Sequence, residues 1–138
     1  EDTVALACAL KARGVDVVYH AAGGTGIGVL QAAADEGLLG IGVDSNQNAM
    51  HPGSVLTSML KRVDNAVYDT FEDSMNGEFT YGFDVNGLAE EGVGLALDEH
   101  NEELMTPEIL EAVNLARQQI IDGEVEVHDY TSDSSCPY

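Results

Sequence analysis

The spacing of apolar and polar positions changes along the chain, and each change marks an element. Residues 2–13, DTVALACALKAR, place Val4, Cys8 and Ala12 at i, i+4 and i+8, the spacing of one helix face, and Gly14 follows as a stop. Cys8 is therefore expected in the core. Residues 15–22, VDVVYHAA, have too few polar positions for a half-exposed strand and predict a buried one. A helix is expected over 26–36, ended by Gly37, and a second buried strand over 38–43, LLGIGV, closing on Asp44. Strand, helix and strand of these lengths form a βαβ unit and imply a parallel sheet.

The second half is more broken. A turn at 51–53 leads into a short strand around Ser54–Met59. A helix near 62–75 carries Val63, Val67 and Phe71 on one face. The segments GEFTYGFDVNG and GVGLAL (92–97) read as short strands separated by an acidic turn. Thr106 as cap and Pro107 at the first helical position open a last helix, with Ile109, Val113, Ala116 and Ile120 as its stripe and Gly123 as its end. Residues 124–130, EVEVHDY, alternate and predict an edge strand; the final eight residues read as a flexible tail. No internal repeat is visible. No apolar run approaches the roughly 20 residues of a membrane helix. The start at Glu1-Asp2, directly inside a helical pattern and without a signal peptide, suggests a piece of a longer protein.

The 138 residues suffice for about one domain. Charge narrows the partners. There are 25 acidic and 5 basic residues, a net charge of −20. Such a surface repels nucleic acid and anionic lipid, and it fits a protein adapted to high salt. Tracts such as Glu90-Glu91 and Glu102-Glu103 are read as solvated faces or turns. Cys8 and Cys136 are far apart, no CxxC or Cys/His cluster exists, and zinc is not expected. His20, His51, His100 and His128 are scattered and read as structural or surface residues rather than ligands.

Four glycines fall within residues 23–28, between a predicted strand and a predicted helix. That is the layout of a phosphate site, but the phosphate motifs fail. No Lys follows these glycines as a P-loop requires, and the GxGxxG spacing breaks at Val29 and at Gln31. The short-chain dehydrogenase pattern shares GIG, but its first glycine would fall on Ala22 and no Tyr has a Lys four residues on. Two readings remain. The glycines either let strand and helix pack tightly, or let a ligand approach the backbone and the helix N–H donors. Asp44 ends the next strand, where ligands gather in open α/β sheets, and its carboxylate can accept from two vicinal hydroxyls. It also reads as an ordinary turn Asp in DSNQN. Lys61 follows an apolar strand and is either a ligand donor, a partner of Asp44 or a surface ion-pair residue.

Taken in order, VDVVYHAAGGTGIG, IGVDSNQ and SVLTSMLKRVDNAVYD resemble the basic membrane protein family, substrate-binding lipoproteins of ABC transporters whose best-known members bind purine nucleosides. EGVGLALDEHN and the stretch from Pro107 to Val127 extend the match over nearly the whole chain. Asn46 stands where the family often has Asp. The resemblance implies an α/β fold: the parallel-sheet lobe or lobes of a type I periplasmic binding protein, here its C-terminal portion. By analogy, residues 1–61 belong to the C-terminal lobe, 62–100 to the other lobe, 101–130 return, and 131–138 form the tail. Gly23 and Gly24 would approach the nucleoside, and Asp44 and Lys61 would hold the ribose hydroxyls. The implied partners are a nucleoside and a membrane permease, outside the cytoplasm, with a lipid anchor elsewhere in the protein. No enzyme activity, cofactor or metal is implied. The alternatives are a ligand-sensing domain of the same fold and a nucleotide-cofactor oxidoreductase, which the failed fingerprints disfavour. Open strand edges in a partial chain also predict self-association.

Overall fold

In the computed structural model, which describes residues 2–135, the first half forms the expected βαβ unit. The helix α1 (Asp2–Ala12) precedes β1 (Val17–Tyr19), α2 (Gly26–Asp35) and β2 (Leu39–Asp44). Then come β3 (Val55–Lys61), α3 (Val63–Asn76) and β4 (Val93–Leu95). The sheet order is β1-β2-β3-β4; β1, β2 and β3 run parallel, and β4 is antiparallel to β3. The chain divides between Thr106 and Pro107 into two compact units. The second holds α4 (Pro107–Ile121) and a helical turn, α5 (Tyr130–Asp133).

Glycines on β2 explain how α2 lies on the sheet. A Cβ at Gly40 would come within 2.6 Å of Leu30 Cδ2, and one at Gly42 would collide with Ser58 Oγ. The missing Cβ at Gly40 lets Leu30, 1% exposed, lie directly on the strand, and that at Gly42 leaves room for Ser58. Val18, Ala33 and Leu38 form the core, with Leu10, Val15 and Val29 packed around them.

Several expectations are corrected. The buried face of α1 is Ala7 and Leu10, not Val4, Cys8 and Ala12; Cys8 is exposed and donates to Glu36 Oε1 at 3.3 Å. Eight of the eleven residues of this helix are apolar on every side, so the pattern has no contrast and the small Ala7 sets the docking. The strand expected over 15–22 is three residues long, and Tyr19 on it is exposed. As an edge strand, β1 is paired on one side only, along Leu39–Ile41. The segment GEFTYGFDVNG is not a strand: Phe79, Tyr81, Phe83 and Val85 are all exposed, and the far edge of β3 is taken by β4. Residues 124–130 form no strand either, because the second unit offers no strand to pair with. The stretch read as a tail opens with α5, whose cap Asp129 accepts from Thr131 N at 2.9 Å. Cys136 lies outside the described residues.

The helices at 63–76 and 107–121 match expectation. Gly77, at φ +75°, ends α3 in the left-handed conformation that glycine adopts freely. Its stripe is present but uncovered: Val63, Val67 and Phe71 are all exposed.

Candidate functional site

Three adjacent parallel strands end side by side, and each carries one of the expected ligand residues. After β1 the chain makes a 3-10 turn, Gly23–Thr25, before α2. Gly23 has φ +52°, which requires glycine for ease, and both Gly23 and Gly24 are exposed with no atom within 4 Å of where a Cβ would stand. The next strand, β2, ends at Asp44. Its φ is +68°, a left-handed conformation that Asp tolerates better than most residues. The carboxylate is exposed and makes no hydrogen bond or ion pair among the described residues. The third strand, β3, ends at Lys61, also exposed and without an ion pair among the described residues. Register sets Asp44 opposite Leu60, so Lys61 stands one residue beyond it. The strand ends bring the three positions to one edge of the sheet. They do not pair Asp44 with Lys61.

A polar network fixes the turn after Asp44. Gln47 Oε1 accepts from Val43 N, and Gln47 N donates to Ser58 Oγ, each at 2.9 Å. Ser58 Oγ donates to Asn48 Oδ1 at 2.8 Å, and Asn48 Nδ2 donates to Asp98 Oδ2 at 3.1 Å. Asn46 Nδ2 donates to the same oxygen at 2.6 Å. Asn101 closes the network, accepting from Asp98 N and donating to Leu56 O and Ala96 O. Asn48, Ser58 and Asn101 are fully buried, so the bonds they make are shielded from water on at least one side, whereas the Asn46–Asp98 bond is exposed. The hydrogen bond from Asn46, followed by those from His100 N and Asn48, holds the Asp98 carboxyl below its usual range against the opposing effect of burial. Asn46, the departure from the family's Asp, is thus a donor to an acid; an Asp there would set two carboxylates against each other.

Sequence reasoning missed this network. Its signals were polar Thr57 and Ser58 inside the apolar strand VLTSML, and the run of amides in DSNQN, read there only as turn chemistry. His20, within the stretch expected as a buried strand, is buried. Asp98, Glu99 and His100 bring one ligand-type atom each within 4.8 Å of one another, but both oxygens of Asp98 already accept hydrogen bonds within the network. A cleft of about 320 Å³ lies elsewhere, lined by Pro52, Gly53, Glu99, His100, Glu103 and Leu104 near the amino end of β3, away from Asp44.

The comparison that decides the family is a match of residues 1–131 to the model of the ABC transporter substrate-binding protein, PnrA-like. The chain belongs to this family. Two relatives agree. A CD4+ T-cell-stimulating antigen of Listeria monocytogenes is 34% identical over 88% of this chain and 38% of its own length. The ABC transporter nucleoside-binding protein BmpA of Lactococcus lactis is 35% identical over the same shares. Among solved structures, an ABC transporter solute-binding protein of Aeropyrum pernix superposes with a TM-score of 0.70 at 28% identity, covering 91% of this chain and 44% of that one. The PnrA-like chain therefore spans less than half the length of the relatives it matches. The family is one of substrate-binding proteins, not of enzymes, and the α/β, mainly parallel sheet agrees with it. No helix among the described residues is long and apolar enough to cross a membrane.

Proposed function

We propose that this PnrA-like chain carries the ribose side of a nucleoside site in an extracytoplasmic ABC-importer protein, tethered by a lipid anchor outside this chain. The observation that carries the reading is Asp44. Its carboxylate ends the strand between the glycine turn and Lys61, exposed and unbonded, while a buried network holds its turn. A free carboxylate that accepts two hydrogen bonds matches a vicinal diol. Gly23 and Gly24 leave room for the ligand against the turn, and Lys61 supplies a donor. A phosphate would meet Asp44 and a chain of net charge −20 with few cations to offset it, so nucleosides are expected to bind and nucleotides are not. The named role of the Lactococcus relative supports the ligand class.

The proposal includes the division of the chain, with 1–61 in one lobe, 62–100 in the other and 101–130 returning, except that β4 and Asp98 stay with 1–61, since β4 pairs with β3 and Asp98 accepts from Asn46 and Asn48. The uncovered stripe of α3 supports the second assignment, since an apolar helix face is stable when another element covers it. The open edge of β1 supports self-association of the isolated chain.

The test is calorimetric titration of inosine, guanosine, adenosine, cytidine, ribose and AMP into the two-lobed protein in molar KCl. Tight nucleoside binding, weak AMP binding and a loss of at least about tenfold in Asp44→Ala are expected. AMP binding as tight as nucleoside binding would refute the reading.

A further inference from the structure

His20 follows β1 and is 6% exposed, yet neither Nδ1 nor Nε2 has a hydrogen-bond partner among the described residues. Buried polar side-chain atoms nearly always have a partner, so a buried orphan points to water or a ligand at that place. The ring's polar edge identifies the place. A Cβ on Gly26 would collide with Cε1, Nδ1 and Nε2 together, so this edge faces the first residue of α2. That residue opens a ten-residue helix, and its own N–H is already taken by Gly23 O, so it does not serve the ring. The Gly23–Gly24 turn, two residues before Gly26, is exposed, and its glycines have nothing packed against them.

The neutral imidazole is a donor at one nitrogen and an acceptor at the other. No single oxygen reaches both nitrogens, but the bare one needs a donor, which a hydroxyl supplies and a carboxylate or a phosphate oxygen cannot. We propose that His20 holds a hydroxyl-type oxygen beside the glycine turn, at the start of α2. The oxygen belongs to the bound nucleoside or to one water buried beneath it. The first source rests on the nucleoside reading above; the second does not.

The experiment compares wild type, His20→Phe and His20→Gln in the two-lobed protein, by inosine titration and by thermal unfolding without ligand. Phe keeps a ring and removes both nitrogens; Gln keeps a donor and an acceptor. A loss of inosine affinity of about tenfold in Phe, with Tm unchanged or raised, assigns the oxygen to the nucleoside. A lowered Tm in Phe that Gln restores, with affinity intact, assigns it to water. Affinity intact and Tm unchanged or raised in Phe would overturn the proposal, as would a Tm lowered equally by Phe and Gln. If wild type binds no inosine, the nucleoside reading fails alone, and the unliganded Tm values decide this one. Should Phe not fold, the ring ¹⁵N resonances of wild-type His20 decide: a pyridine-type nitrogen shifted upfield by an accepted hydrogen bond supports the oxygen, and an unshifted one refutes it.

Discussion

Asp44 serves two demands with one residue: a left-handed backbone at the end of β2 and a free carboxylate beside the glycine turn. The two separate by substitution. Glycine relieves the backbone, whereas alanine carries a left-handed cost of about 1–2 kcal/mol. Asp44→Gly is therefore expected to unfold at higher urea than Asp44→Ala, and both are expected to lose nucleoside binding. Equal stability of the two would show that the turn relaxes out of its left-handed conformation. The residue behind the turn, Asp98, makes a pH prediction. Its folded pKa is lowered, with the Asn46 amide as the largest cause. A lowered acid contributes stability that is full above its unfolded value of about 3.9 and is lost as pH falls through the still lower folded value. Tm measured from pH 7 to 2 should show this loss in wild type and not in Asp98→Asn. The variant should also start lower at pH 7, because three N–H donors now share one carbonyl oxygen. Parallel curves for the two proteins would contradict the assignment.

At the scale of elements, His20, just after β1, lies against Gly26 at the start of α2. Replacing a helical glycine by alanine ordinarily gains up to about 1 kcal/mol. Here the new methyl meets a buried ring, and overpacking of about 1–3 kcal/mol outweighs the gain. Gly26→Ala is expected to destabilise in urea unfolding, and the penalty should vanish in a His20→Ala background, a non-additivity expected of residues in contact. Additive effects would mean that the ring does not occupy that space. The same pair shows what the sequence could convey. The βαβ unit was legible because its apolar runs are bounded by Gly14, Gly37 and Asp44, which also set the candidate positions at the strand ends. The face of α1 was not, because Ala and Leu surround it. The strands expected at 77–87 and 124–130 were not, because alternation reports a pattern of side chains and not whether a neighbouring edge is free. The burial of His20 was legible, since it lies in the stretch read as a buried strand, whereas the lack of a partner for its ring nitrogens among the described residues was not.

For the whole molecule, charge is the property that decides behaviour. The described ion pairs, Lys11–Glu36 and Arg62–Asp64, are exposed and contribute little, and salt weakens them further. Opposing them are 25 acidic side chains against 5 basic ones, so at least twenty carboxylates have no cation to offset them. Screening acts on both, but the repulsive pairs outnumber the attractive ones, and repulsion wins. The Debye length falls from about 10 Å at 0.1 M salt to about 3 Å at 1 M, short enough to uncouple most neighbouring carboxylates. Tm is therefore expected to rise substantially between dilute buffer and molar KCl. The rise should appear equally in KCl and NaCl if it is screening, and most of it should be reached by about 1 M, where the screening length is already below the spacing of surface charges. A Tm that stays flat over this range would mean that the carboxylates lie too far apart to repel, and would remove the case for adaptation to high salt.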